Sequence, residues 1–231
     1  MNALPLFYQE HLEAAADVLI TSEETRRHVV TVLRMQVGER ILLTDGKGLQ
    51  LEATIVRADK KHLEVRKVNV RHHTAPVRQV VLAISLLKNA ARFEWMLEKA
   101  TEIGITAFYP LLTERTVRQH FRSDRLRQIL ISASMQSGRF HFPVLHDPIV
   151  LDALMQTDLP SNRFIAHCME GEKHKLTAEA GDQVLLIGPE GDFTAAELDL
   201  TLAQGFVPVT LGDTRLRTET AGIAGAVLMC Q

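Results

Sequence analysis

The chain is short of several things, and each shortage closes off a class of protein. It has two cysteines, Cys168 and Cys230, whose spacing gives neither a disulfide framework nor a thiolate metal site. Reduced thiols and a cytoplasmic setting are the expectation. No apolar run approaches the ~20 residues that cross a bilayer, and residues 1–10 lack the basic and apolar regions of a secretory signal. The ten histidines form no H-x-x-x-H pair or Cys/His cluster, so no metal is expected. Lys and Arg number 26 against 28 Asp and Glu, a net charge of −2, so no whole-chain basic field draws the protein to nucleic acid. Charge is nevertheless uneven: Arg115, Arg118, Arg122, Arg125 and Arg127 lie close together against a single acid, Asp124. Such a strip can supply phosphate contacts that net charge hides, or be an ordinary solvated helix face.

What is present is a globular composition: 231 residues, 46% hydrophobic and 23% charged, enough for one large domain with a small one. Residues 39–45, 49–57 and 62–69 are short β-rich runs, and Asp45-Gly46-Lys47-Gly48 is a hairpin turn between the first two. Before them, 22–34 reads as a helix capped by Ser22, with His28, Val29, Val32 and Leu33 on one side. This pattern predicts a small β-barrel over 1–71, with 71–76 as linker. From residue 76 to 231 the rhythm changes. Strand candidates at 79–87, 107–112, 163–168, 184–187 and 207–211 alternate with helical stretches, which implies a mainly parallel sheet covered on both faces. In the helix at 89–103, Phe93, Met96, Leu97, Ala100 and Ile103 share one face, and Gly104 stops it.

Three segments carry candidate chemistry. Gly188-Pro189-Glu190-Gly191 follows a buried strand and precedes a helix whose start is marked by the capping-box pair Thr194 and Glu197. It is neither a P-loop nor a dinucleotide fingerprint, and such a turn alone is often only structural. Leu211-Gly212 and Leu216-Arg217-Thr218-Glu219-Thr220-Ala221 repeat the arrangement after the last strand. Arg217 beside Glu219 reads either as a plain surface pair or as a pair placed for ligand or substrate work. Ser134-Met135-Gln136-Ser137-Gly138-Arg139 ends the helix that carries the basic strip. There Arg139 can bind a phosphate or base edge or merely favour the helix dipole. Two turns after successive strands of an α/β sheet are a place to build a ligand pocket.

In this order and spacing the segments resemble the SPOUT RNA methyltransferases, and within them the family that methylates N3 of a uridine in small-subunit ribosomal RNA. The resemblance covers essentially the whole chain, including Arg27-His28-Val29-Val30 with Arg34 in a PUA-like barrel and Lys99-Ala100-Thr101-Glu102-Ile103-Gly104 beyond it. It implies an α/β trefoil-knot domain, S-adenosylmethionine as methyl donor, 16S ribosomal RNA in the small subunit as substrate, and a homodimer whose active site draws on both subunits. Cofactor contacts are then expected from Cys168, Met169, Ile187, Gly188, Pro189, Glu190, Gly191, Leu211, Gly212, Leu216, Arg217, Thr220 and Ala221. A side chain on Gly191 should crowd that pocket. Arg217 or Arg139 would face the oxyanion developing on uracil, while Glu219 would either accept the proton or hold Arg217. Arg27, Arg34, Arg115, Arg118, Arg122 and Arg139 would meet RNA. Two departures stand out: Met135 occupies a position where the family often has Glu, and Asp192 one where Gly is common. A SPOUT enzyme acting on another RNA position, or a non-catalytic RNA-binding assembly factor, are the alternatives.

Overall fold

The computed structural model describes residues 4–12, 15–117 and 121–231, and Arg118 of the basic strip lies outside them. The chain divides into two compact units, one of residues Met1–Ala75 with Ser134–Phe142, the other of Pro76–Ala133 with Pro143–Gln231.

The first unit contains β1 (Leu6–Tyr8), β2 (Val18–Ile20), β3 (Arg40–Thr44), β4 (Leu49–Ala58) and β5 (Leu63–His72). They form one sheet in the order β1-β3-β4-β5-β2, antiparallel except for the β1–β3 pair. Alternating Leu49, Leu51, Ala53 and Ile55 of β4 point into the core, the period-2 pattern of a one-sided strand. Phe7 and Leu19, from the two end strands, bury themselves in the same cluster. The predicted helix at 22–34 is only partly α-helical. After α1 (Glu23–Arg26), capped by Ser22, a π-helical turn takes over at Arg27–Val32. The β-branched run Val29-Val30-Thr31-Val32 crowds regular α packing. Val29 reaches the core, but Val32 and Leu33 are 64% and 45% exposed, so the expected apolar side does not form.

Ser134–Phe142 belongs to the first unit, although it begins within the last turn of a helix, Ser123–Gln136, whose earlier residues belong to the second. The reason is backbone pairing with the β3–β4 turn. The Gly48 N–H donates to Phe140 O at 2.8 Å and the Phe142 N–H to Gly46 O at 2.8 Å, while Phe140 stacks on His73 at 4.0 Å.

The second unit holds β6 (Val80–Ser85), α2 (Ala90–Ile103), β7 (Ala107–Leu112), most of α3 (Ser123–Gln136), β8 (Val144–Leu145), β9 (Ile149–Val150), α4 (Leu151–Leu154), β10 (Asn162–Ala166), β11 (His174–Lys175), β12 (Gln183–Ile187), α5 (Ala195–Ala203), β13 (Val207–Thr210) and α6 (Thr218–Cys230). Its sheet runs β11-β13-β10-β12-β6-β7-β8, with β9 beside β7, and every pair is parallel. All residues of β6 and β12 are buried, which is why their sequences are near-continuous apolar runs rather than alternating ones. Each fully buried Leu or Ile there contributes roughly 1.5–3 kcal/mol.

Helix α2 starts where the Asn89 side chain accepts the N–H groups of Ala91 and Arg92, and ends at Gly104. Its buried face meets α6 in one cluster that includes Met96, Leu97, Ala226 and Met229. The small residues of α6 permit that approach. A Cβ on Gly222 would lie 2.9 Å from Ile84 and 3.0 Å from Met96, and one on Gly225 would run into Leu185. At Gly222 and Gly225 α6 thereby packs closely against β6 and β12. Among the described residues no helix is long and apolar enough to cross a membrane.

Candidate functional site

Three neighbouring strands, β13, β10 and β12, end on the same side of the sheet because all are parallel. The loops that leave them enclose a cavity of about 570 Å³, within the ~300–1,000 Å³ of small-molecule sites. From β10 come Ala166, His167 and Cys168; from β12, Ile187, Gly188, Pro189, Glu190 and Asp192; from β13 and the start of α6, Leu211, Gly212, Leu216, Arg217, Glu219 and Ala221. Ligands of open α/β sheets sit beyond the carboxyl ends of strands for this reason.

Most positions expected at the cofactor are in this wall. Met169, Gly191 and Thr220 are not among the lining residues. Met169, partly buried, packs against the cluster that contains Ile165 and Phe193. Gly191 faces Arg115, whose Cδ would be 3.3 Å from an added Cβ, so a side chain there would press on Arg115 rather than crowd the cavity. Thr220 lines a neighbouring hollow.

The loop after β12 is built from Phe193 and Asp192. Phe193 is buried beneath Gly188, and a Cβ at Gly188 would come 3.0 Å from its ring. Asp192 takes a positive φ of 63°, tolerable for Asp and easy for Gly. Its carboxylate accepts the Cys168 N–H at 2.8 Å and the Phe193 N–H at 2.9 Å, tying two walls together. The capping box of Thr194 and Glu197 forms at the start of α5. Arg115 donates to Gly191 O at 2.7 Å, so its guanidinium clamps this loop.

Sequence reasoning passed over several wall residues. Arg92, at the start of α2, forms an ion pair with Glu219 at 3.4 Å. Glu219 is 7% exposed, and Arg92, not Arg217, is its partner. Arg217 has no ion-pair partner among the described residues. Lys173 donates to Met169 O at 2.7 Å. His167 is the most telling omission: both ring nitrogens are sealed from solvent and have no hydrogen-bond partner among the described residues. Burial pushes its pKa down, helped by nearby Lys173 and opposed by Asp192. A neutral imidazole offers one donor and one acceptor, and a buried polar group left unpaired is costly unless something else completes it.

The arginines proposed for RNA fall into distinct groups. Arg27, Arg34 and Arg122 are exposed. Arg125, also of the strip, makes a two-point pair with Glu94 at 2.5 and 2.6 Å, which holds that carboxyl below its ordinary range. Arg139 is half-buried and belongs to the first unit, whereas Arg217 and Glu219 belong to the second.

Comparison with known proteins finds relatives along the whole chain. Residues 73–229 match the family model for an RNA methyltransferase domain, and 20–68 that for an RNA methyltransferase PUA domain. A Mycobacterium bovis protein named ribosomal RNA small subunit methyltransferase E is 30% identical, over 94% of this chain and 87% of its own. A crystal structure from Porphyromonas gingivalis, described as a probable rRNA-methyltransferase, superposes with a TM-score of 0.89 at 36% identity, covering 96% of this chain and 95% of that one. A ribosomal RNA small subunit methyltransferase E from Neisseria gonorrhoeae, solved bound to S-adenosyl methionine, gives 0.86 at 29% identity over 97% and 95%.

Proposed function

Because the chain belongs to the RNA methyltransferase family that contains the ribosomal RNA small subunit methyltransferase E proteins, we propose that it methylates N3 of a uridine in 16S ribosomal RNA, using S-adenosylmethionine. The observation that carries the reading is the cavity itself, walled by the three strand-end loops at the carboxyl ends of neighbouring parallel strands.

The residues present fit that cofactor. Ile187, Leu211 and Leu216 give apolar walls for a purine, and the loop backbone gives hydrogen bonds beside them. The Glu190 carboxylate, which accepts the Lys88 N–H at 3.4 Å, can receive ribose hydroxyls or face an ammonium. When bound, the cofactor supplies a methyl group already activated by a positively charged sulfur, so the protein's task is to prepare the acceptor.

Uridine N3–H is a weak acid, and its reaction forms an N–C bond as the proton is lost. Arg217, without an acidic partner among the described residues, faces the negative charge that develops over O2 and O4. Charge-assisted bonds of this kind are the strong ones and act most where charge appears in the transition state. Glu219 is buried and engaged by Arg92, so its role is to fix that guanidinium beside the acceptor, and the proton passes to solvent. Arg27, Arg34, Arg122 and Arg139 bind RNA backbone and shape. The knotted chain path, the homodimer, the assembled small subunit as substrate and a cytoplasmic location rest on the family resemblance.

The decisive experiment incubates the protein with isotopically labelled S-adenosylmethionine and small ribosomal subunits lacking the modification, then locates the label by nuclease digestion and mass spectrometry. Label at N3 of one uridine supports the whole reading. Label elsewhere moves the target, and neither transfer nor cofactor binding sinks it.

A further inference from the structure

Beside the cofactor cavity lies a second hollow of about 640 Å³, formed by the first turns of α2 and α6 and the loop before α6. Its wall includes Asn89, Arg92, Trp95, Arg215, Arg217 and Thr220. The two hollows share Arg92, Arg215, Leu216, Arg217 and Glu219, so whatever occupies the second is a direct neighbour of whatever occupies the first. Trp95 is the only tryptophan of the chain and is 48% exposed, unusual for the largest apolar side chain on a helix whose other face is well buried. Three guanidinium groups converge here against one carboxylate, Glu219, and that carboxylate is already engaged by Arg92. Arg215 and Arg217 have no acidic partner among the described residues.

We infer that this second hollow is the seat of the target nucleotide, with its pyrimidine ring stacked on the Trp95 indole and its phosphate and carbonyl oxygens met by Arg215 and Arg217. An exposed aromatic face beside unpaired arginines is the combination that binds single-stranded nucleic acid: the ring takes a base of any identity and the cations take the backbone. An acidic peptide would satisfy the arginines and leave the indole bare. Continuity with the cofactor cavity selects the methyl acceptor over a remote stretch of RNA, because acceptor and donor must meet. The inference rests on the methyltransferase reading and adds to it a position for the substrate base.

The lone tryptophan makes the test direct. Fluorescence of the intact protein, with S-adenosylhomocysteine present, is followed while a short oligouridylate is added, and separately an abasic oligomer of equal charge. Saturable quenching by oligouridylate and none by the abasic strand is the expected result. Equal response to both strands, or none to either, overturns the stacking. In methyl-transfer assays Trp95→Ala should raise the KM for RNA by about tenfold or more, the loss of one stacking platform, with cofactor affinity within about twofold of the parent. Trp95→Phe should regain part of the loss. If Trp95→Ala instead leaves that KM unchanged and dissociates a homodimer, the face belongs to a second copy and the inference fails. Failure of the parent protein to bind S-adenosylmethionine at all would strike the underlying reading instead.

Discussion

Two turns that look alike in sequence do opposite things in the structure. In the first unit, Asp45-Gly46-Lys47-Gly48 joins β3 to β4 with φ of 70° at Gly46 and 102° at Gly48, values that L side chains resist. The segment carrying Phe140, His141 and Phe142 packs directly on it. In the second unit, neither Gly188 nor Gly191 has a positive φ; Asp192 carries it instead. There the glycines provide room, over Phe193 in one case and beside Arg115 in the other. Glycine in the first turn is demanded by backbone conformation and close packing together, and in the second by space alone. The first turn therefore guards the fold, while the second shapes a cavity and can be altered with less harm to stability.

The largest effect expected from this contrast is one on rate without one on fold. Arg217→Ala should lower methyl transfer by about 10²–10³-fold, as loss of one charge-stabilising donor does. Cofactor affinity, read by calorimetry, should stay within about threefold, since Arg217 is exposed and makes no side-chain cap on α6. An affinity loss as large as the rate loss would erase the division between binding and chemistry. Next comes the turn in the first unit. Gly48→Val places a branched side chain at φ 102°, 2.5 Å from His141 Nε2 and 2.9 Å from His73 O, and should cost about 2–4 kcal/mol in chemical denaturation. Gly191→Val meets only the flexible Arg115 stem at 3.3 Å and should cost less than about 1 kcal/mol with little change in cofactor affinity. Equal losses for the two would break the comparison.

Asp192 tests the same idea more finely. Asp192→Ala removes both carboxylate bonds and leaves a strained φ, for about 1–2 kcal/mol and a several-fold weaker cofactor affinity. Asp192→Gly loses the same bonds but relieves the backbone, so its melting temperature should lie above that of the Ala variant; the reverse order would deny the strain. The smallest effect is on pH dependence, and it belongs to the second unit. His167 and His146, the latter stacked on Tyr109 at 3.8 Å, both have pKa values lowered from 6.5, chiefly by burial. The unfolded chain then binds protons first as pH falls, so stability is lost from about pH 6.5 downward. His167→Gln should flatten part of that slope in urea titrations, and an unchanged slope would exclude His167 from it.

The parallel sheet was legible in sequence because its strands bury both faces and leave unbroken apolar runs; β12 and α2 fall within a residue or so of their expected bounds. The capping box at Thr194 was legible for the same local reason. Strands β1 and β2 were not, because three residues each carry no periodicity and exist only through pairing with β3 and β5. Of the candidate site, the two glycine-bearing loops could be read because they follow strong strands. The Arg92–Glu219 pair could not, since nothing local links the start of α2 to the start of α6. His167 sits in a loop without a motif, and its oddity is the absence of a partner, which only three dimensions reveal.

Ser134–Phe142 has a further consequence for how the protein comes into being. During synthesis the first 75 residues leave the ribosome well before the segment that completes their unit. Until residues 134–142 arrive, the Gly48 N–H and Gly46 carbonyl lack their partners in Phe140 and Phe142. The N-terminal sheet and its buried cluster lie wholly within the first 72 residues, but the turn between β3 and β4 is covered only after the first stretch of the second unit has been translated, and closing so long a loop slows that last step. A fragment ending at residue 75 keeps its sheet but leaves the Gly46 and Gly48 backbone groups without the partners that Phe140 and Phe142 supply.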